Sequence, residues 1–130
     1  KCKWVVHPNS NLKEDFTILN CFEFVEPLPY NKFVQEMYNS DLILSDSGAV
    51  SEEITVIKKP LFVLRKVTER PEILDLDFVK LVKEPKDLFK NLNNFFNKQQ
   101  NFKDTNKNIT IYGKGDAGKK TAKLINQILC

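Results

Sequence analysis

The stretch Leu42-Ile43-Leu44-Ser45-Asp46-Ser47-Gly48-Ala49-Val50-Ser51-Glu52-Glu53-Ile54 decides how this chain folds. Leu42 to Leu44 is a short apolar run that reads as a buried strand. Ser45-Asp46-Ser47-Gly48 supplies helix-capping groups, and Val50, Ile54 and Ile57 then share one face of the helix those groups open. Lys58-Lys59-Pro60 stops that helix. Leu61-Phe62-Val63-Leu64 follows as a continuous apolar run, the pattern of a strand buried on both faces in a parallel sheet.

The same alternation extends in both directions. Downstream, Thr68-Glu69-Arg70-Pro71 is a loop that starts a short helix, and Val79 to Val82 is a second, shorter strand. Lys86 to Phe96 carries Leu88, Phe89, Leu92, Phe95 and Phe96 as a helical stripe, with Asn97 to Asn108 continuing as helix and loop. In the last helix, Ala117 to Leu129, the apolar face is Ala122, Ile125, Ile128 and Leu129. Upstream, Trp4-Val5-Val6 and Phe22 to Val25 are strands closed by His7-Pro8-Asn9 and Glu26-Pro27-Leu28-Pro29. Tyr30, Phe33, Val34, Met37 and Tyr38 recur at helical spacing, with Pro29 at a position a first turn tolerates. Strands alternating with helices predict an α/β fold: a single Rossmann-like, three-layer domain over residues 1–130, with a parallel sheet and right-handed crossovers.

Composition narrows the function classes. With 130 residues, 42% hydrophobic and 28% charged, the chain can bury one core, which argues against disorder. Four glycines and six prolines do not make a collagen or a low-complexity linker, and no run approaches the ~20 apolar residues of a membrane span. A net charge of +3, from 20 basic and 17 acidic residues spread along the chain, is too mild to argue for nucleic acid. Cys2, Cys21 and Cys130 are far apart and lack Cys-x-x-Cys spacing, so free thiols in a reducing cytoplasm are expected rather than a metal site. Lys1 to Val6 shows no export signal, and the chain begins as if cut from something longer. Asn108-Ile109-Thr110 fits a glycosylation pattern and is set aside for the same reason.

Chemistry is expected at the carboxyl ends of the strands, where open parallel sheets collect ligands. After Leu44, Gly48 lets an anion approach the backbone and Ser47 offers a hydroxyl. The first free N–H groups of the helix, at its positive dipole end, favour phosphate. Glu53 lies four residues beyond Ala49 and one turn deeper on the same face, where a carboxylate can accept from vicinal sugar hydroxyls. The competing reading is a plain capped helix with solvated acids. Arg65 and Arg70 are the only arginines, both follow Leu61 to Leu64, and their planar forks suit phosphate. Ion pairs to Glu69 or Glu72 are the alternative. His7, the only histidine, follows the first strand. A Ser47–His7–Asp46 triad is disfavoured, since adjacent Asp and Ser diverge at a helix start and the glycine-flanked elbow is missing.

Gly113-Lys114-Gly115-Asp116-Ala117-Gly118 spells a dinucleotide fingerprint. Only twelve residues follow Gly118, too few for the strand and ribose-binding acid such a site needs. As a phosphate loop it fails at Lys120, which replaces the magnesium-binding hydroxyl. A flexible turn into the last helix is expected there.

Taken in order, several segments are similar to the C-terminal half of the non-hydrolysing UDP-N-acetylglucosamine 2-epimerases. They are His7-Pro8-Asn9; Glu26 to Tyr30 with Phe33-Val34; Leu42 to Glu53; Lys59-Pro60; Arg65 to Glu72; and Tyr112-Gly113-Lys114-Gly115. That family has the glycosyltransferase-B architecture, and the chain resembles the second of its two Rossmann-like domains. The resemblance implies that Ser47, Gly48 and Ala49 bind a diphosphate, Glu53 the ribose hydroxyls, Phe33 the uridine and Arg70 the UDP. It implies that His7 faces the interdomain cleft near the sugar or an effector nucleotide sugar. The implied reaction interconverts UDP-N-acetylglucosamine and UDP-N-acetylmannosamine by elimination and re-addition of UDP, without a cofactor. The resemblance implies a cytoplasmic enzyme serving polysaccharide precursor synthesis, a homodimer when full length, with no nucleic-acid or membrane partner. The catalytic acids and bases belong to the family's N-terminal half, so this chain alone is expected to be inactive. A hydrolysing epimerase, a glycosyltransferase of the same architecture and a non-catalytic nucleotide-sugar-binding subunit are the alternatives. The sequence departs from the family pattern at Ala49, where a second glycine is usual, at Ser51 for glutamine, at Lys58 for glycine and at Lys114 for an acid.

Overall fold

A computed structural model describes residues 1–6, 22–97 and 111–129, which divide into two compact units, Lys1–Asn39 and Ser40–Cys130. In the first unit, strands β1 (Cys2–Val5) and β2 (Phe22–Val25) pair in parallel, from Cys2 opposite Phe22 to Val5 opposite Val25. The period of two puts Trp4, Phe22 and Phe24 on one face, where their ring centroids lie 5.7 to 6.4 Å apart. Helix α1 (Tyr30–Asn39) begins directly after Pro29, whose carbonyl accepts from the N–H groups of Lys32 and Phe33. Met37 is buried, while Tyr30 and Tyr38, at the margins of the expected stripe, are mostly exposed. Lys3 Nζ donates to Glu36 Oε2 at 2.6 Å and ties β1 to α1.

In the second unit, β3 (Ile43–Ser45), β4 (Leu61–Leu64) and β5 (Val79–Val82) form a parallel sheet in that order, with β4 in the middle. Its remaining elements are helix α2 (Gly48–Ile57), a 3₁₀ helix (Pro71–Asp75), α3 (Pro85–Phe96) and α4 (Ala117–Leu129). A central parallel strand has neighbours on both edges and cover on its faces, so Leu61, Phe62 and Val63 are at most 1% exposed. Ile54 from α2 and Ile73 from the 3₁₀ helix are fully buried, and Phe62 meets Phe95 of α3 edge-on at 6.3 Å. Each such burial stabilises the unit by about 1.5–3 kcal/mol relative to exposure.

Three expectations change. The strand expected over Leu42 to Leu44 runs one residue later and is not fully buried. It has no pairing partner other than β4 among the described residues, and Leu44 is 39% exposed. Phe89 and Phe96 were expected in the apolar stripe of α3 and are 71% and 69% exposed, because the inward side of the helix is formed by buried Asn91 with half-buried Leu88, Leu92 and Phe95. On α4 none of the apolar face is buried. Lys58 explains how α2 stops: it takes a left-handed conformation (φ 58°) and its N–H donates to the Ile54 carbonyl. His7, Cys21, Cys130 and the Asn108 sequon lie outside the described residues.

Candidate functional site

The turn after β3 builds the amino end of α2. Ser47 is the N-cap: its backbone is extended, its Oγ accepts from the Val50 N–H at 3.5 Å, and its carbonyl accepts from the N–H and hydroxyl of Ser51. Ser45 Oγ in turn accepts from the Ser47 N–H at 3.1 Å, which holds the turn. The N–H groups of Gly48 and Ala49 have no partner among the described residues. They point out of the positive end of the helix, where such groups attract anions. Gly48 is half-buried and Ala49 exposed. A Cβ added to Gly48 would lie 3.8 Å from Glu69 Oε2, an ordinary contact, so the fold itself does not demand glycine there.

The loop after β4 brings its charged side chains to α2. The register sets Ser45 beside Val63, so the turns after β3 and β4 leave the sheet at one level. Arg65 Nη1 is ion-paired to Glu69, as the local alternative for that arginine held. Arg70 instead reaches back to α2: Nε donates to Glu52 Oε1 at 2.6 Å, Nη2 is ion-paired to the same oxygen at 2.6 Å, and Nη1 donates to the Glu69 carbonyl at 3.2 Å. The Glu52 carboxylate accordingly raises the Arg70 pKa and keeps the guanidinium charged. Glu53, the next residue on α2, is half-buried and has no partner among the described residues.

Tyr112 completes the cluster by donating to Glu72 Oε1 at 2.7 Å. Partial burial, then the hydrogen bond to this carboxylate, pushes the Tyr112 pKa up to about 12, and the same bond lowers that of Glu72. Gly113 and Gly115 have φ of +92° and +75°, which suits glycine, and a Cβ added to either would meet no described atom within 4 Å. That open turn into α4 matches the plain reading of the glycine-rich segment. Asp46 is exposed. Phe33 lies on α1 in the first unit, half-buried. Glu52 was not singled out from the sequence, since a partner 18 residues away leaves no local signal. Among the described residues no group of His, Cys, Asp or Glu could hold a metal ion, and no helix is long and apolar enough to cross a membrane.

The fold and this site together define a parallel α/β protein whose α2 amino terminus, with N–H groups that have no partner among the described residues, lies at the carboxyl edge of its sheet. Residues 4–126 match the family model described as UDP-N-acetylglucosamine 2-epimerase, and the chain belongs to that family. The UDP-N-acetylglucosamine 2-epimerase of Campylobacter jejuni is 30% identical over 125 residues, 92% of this chain and 33% of that protein. The Methanocaldococcus jannaschii UDP-GlcNAc 2-epimerase, solved in complex with UDP-GlcNAc and UDP, superposes with a TM-score of 0.78 at 29% identity. That match covers 96% of this chain and 35% of the other. The Neisseria meningitidis enzyme bound to UDP-GlcNAc gives 0.69 at 29% identity, over 96% of this chain and 36% of the other. The chain thus spans about a third of the length of the relatives it matches.

Proposed function

We propose that this chain is the UDP-binding, C-terminal domain of a UDP-N-acetylglucosamine 2-epimerase, residues 1–130 forming one Rossmann-like unit of the whole enzyme. The observation that carries the reading is the pairing, on one helix, of N–H groups at Gly48 and Ala49 with the carboxylate of Glu53 one turn deeper, none of which has a partner among the described residues. In this reading Ser47, Gly48 and Ala49 hold the diphosphate, Glu53 accepts from the ribose hydroxyls, Arg70 contacts the UDP and Phe33 the uridine, with His7 facing the sugar or an effector. In an elimination and re-addition reaction UDP is itself the leaving group. Donors fixed in advance around its phosphates stabilise the charge that develops as it departs. The protons are moved by groups of the N-terminal domain. The chain alone is inactive, and the whole enzyme works as a cytoplasmic homodimer in polysaccharide precursor synthesis.

Titration calorimetry with UDP on the full protein that carries this chain tests the reading. Binding is expected, and Arg70→Ala and Glu53→Ala are each expected to weaken it about tenfold. Absence of binding, or binding that neither substitution alters, overturns it. Product analysis with UDP-N-acetylglucosamine is expected to give the UDP-linked mannosamine isomer. Free sugar would assign the protein to the hydrolysing enzymes, acceptor-dependent release of UDP to the glycosyltransferases, and no turnover to a binding subunit.

A further inference from the structure

Glu52 and Glu53 are neighbours on α2, separated by about 100° around the helix axis, so their carboxylates serve different directions. Glu53 has no partner among the described residues, whereas Glu52 is committed to Arg70. A guanidinium has five N–H donors. Glu52 Oε1 takes the one on Nε and is ion-paired to Nη2, and the Glu69 carbonyl takes one on Nη1, so each terminal nitrogen keeps an N–H with no partner among the described residues. Free N–H groups on both terminal nitrogens let one guanidinium reach two oxygens of a phosphate. We propose that Glu52 is the positioning residue for Arg70, clamping the side of the guanidinium so that its terminal N–H pair is presented to the diphosphate at the amino end of α2. The inference rests on the UDP-binding reading above and adds the residue that orients its arginine.

A purely structural role is the competing account, and the exposure of the pair separates the two. The side chains are 36% and 41% exposed, a setting in which an ion pair adds little to stability. Loss of Glu52 therefore spares the fold and appears in ligand binding. The test is a double-mutant cycle for UDP affinity in the full protein, using Glu52→Ala, Arg70→Ala and both together, with the thermal midpoint of each variant as a control. Glu52→Ala is expected to weaken UDP binding about tenfold, and to have less than about a twofold effect once Arg70 is already Ala. Glu52→Gln, which keeps an acceptor oxygen at the same reach, is expected to recover part of the loss. Tighter UDP binding by Glu52→Ala overturns the inference, because Glu52 then competes with the ligand for Arg70. An equal loss with and without Arg70 also overturns it. If Arg70→Ala weakens UDP and Glu52→Ala does not, the Glu52 role alone falls; if Arg70→Ala binds UDP as the native protein does, the role of Arg70 in the wider reading falls with it.

Discussion

Lys58 closes α2 in a left-handed conformation that costs a residue with a Cβ roughly 1–2 kcal/mol and costs glycine little. Lys58→Gly is expected to raise stability by about 1 kcal/mol, read as a higher denaturant midpoint with an unchanged slope. The sequence departure at this position therefore acts on stability, whereas that at Ala49 leaves in place an N–H with no partner among the described residues. Tyr112 gives a second residue-scale expectation. Of the three tyrosines, one is expected to ionise near pH 12 in a spectrophotometric titration, and Tyr112→Phe to remove that step. Because its folded pKa is raised, the Tyr112 contribution to stability is intact below the ordinary value near 10 and is lost as pH rises through about 12. Glu72 acts in the opposite sense, through a lowered pKa, and its contribution is lost as the solution is made strongly acid.

At the scale of elements, α2 joins the buried core to the site. Ile54 is 0% exposed, and Ile54→Ala is expected to cost about 2–5 kcal/mol in chemical denaturation. Ser47→Ala removes a longer, 3.5 Å cap bond and is expected to cost about 1 kcal/mol or less. Helix boundaries were legible in the sequence because the signals are local: Ser47 before Gly48, Lys58-Lys59-Pro60 after Ile57, and Ala117 to Leu129 as observed. What each face meets was less legible. The spacing of Phe89 and Phe96 fits an amphipathic helix, but periodicity carries no information about what lies opposite, and both rings are exposed. The Glu52–Arg70 pair was hidden for the same reason. The local acids Glu69 and Glu72 were the visible candidates, and only the sheet brings the distant one within reach.

Over the whole chain, the segments after β3 and after β4 supply most of the candidate site, and the sequence order already placed both at carboxyl ends of strands. Their assembly depends on the register of β3, β4 and β5, with Ser45 level with Val63 and Val63 level with Leu81. That alignment makes the site sensitive to loop length more than to loop composition. Lys66 and Val67 are exposed, so substitutions there are expected to leave UDP affinity within about twofold. Deleting Lys66, by contrast, shortens the path from Leu64 to Arg70 by about 3.3 Å of chain, enough to pull the guanidinium off Glu52. Calorimetry on the full protein is expected to show weakened UDP binding at a nearly unchanged thermal midpoint. The six residues between Val63 and Arg70 thus work as a ruler measured from the sheet: drift in the side chains of Lys66 and Val67 is expected to pass unnoticed, and one inserted or missing codon is not.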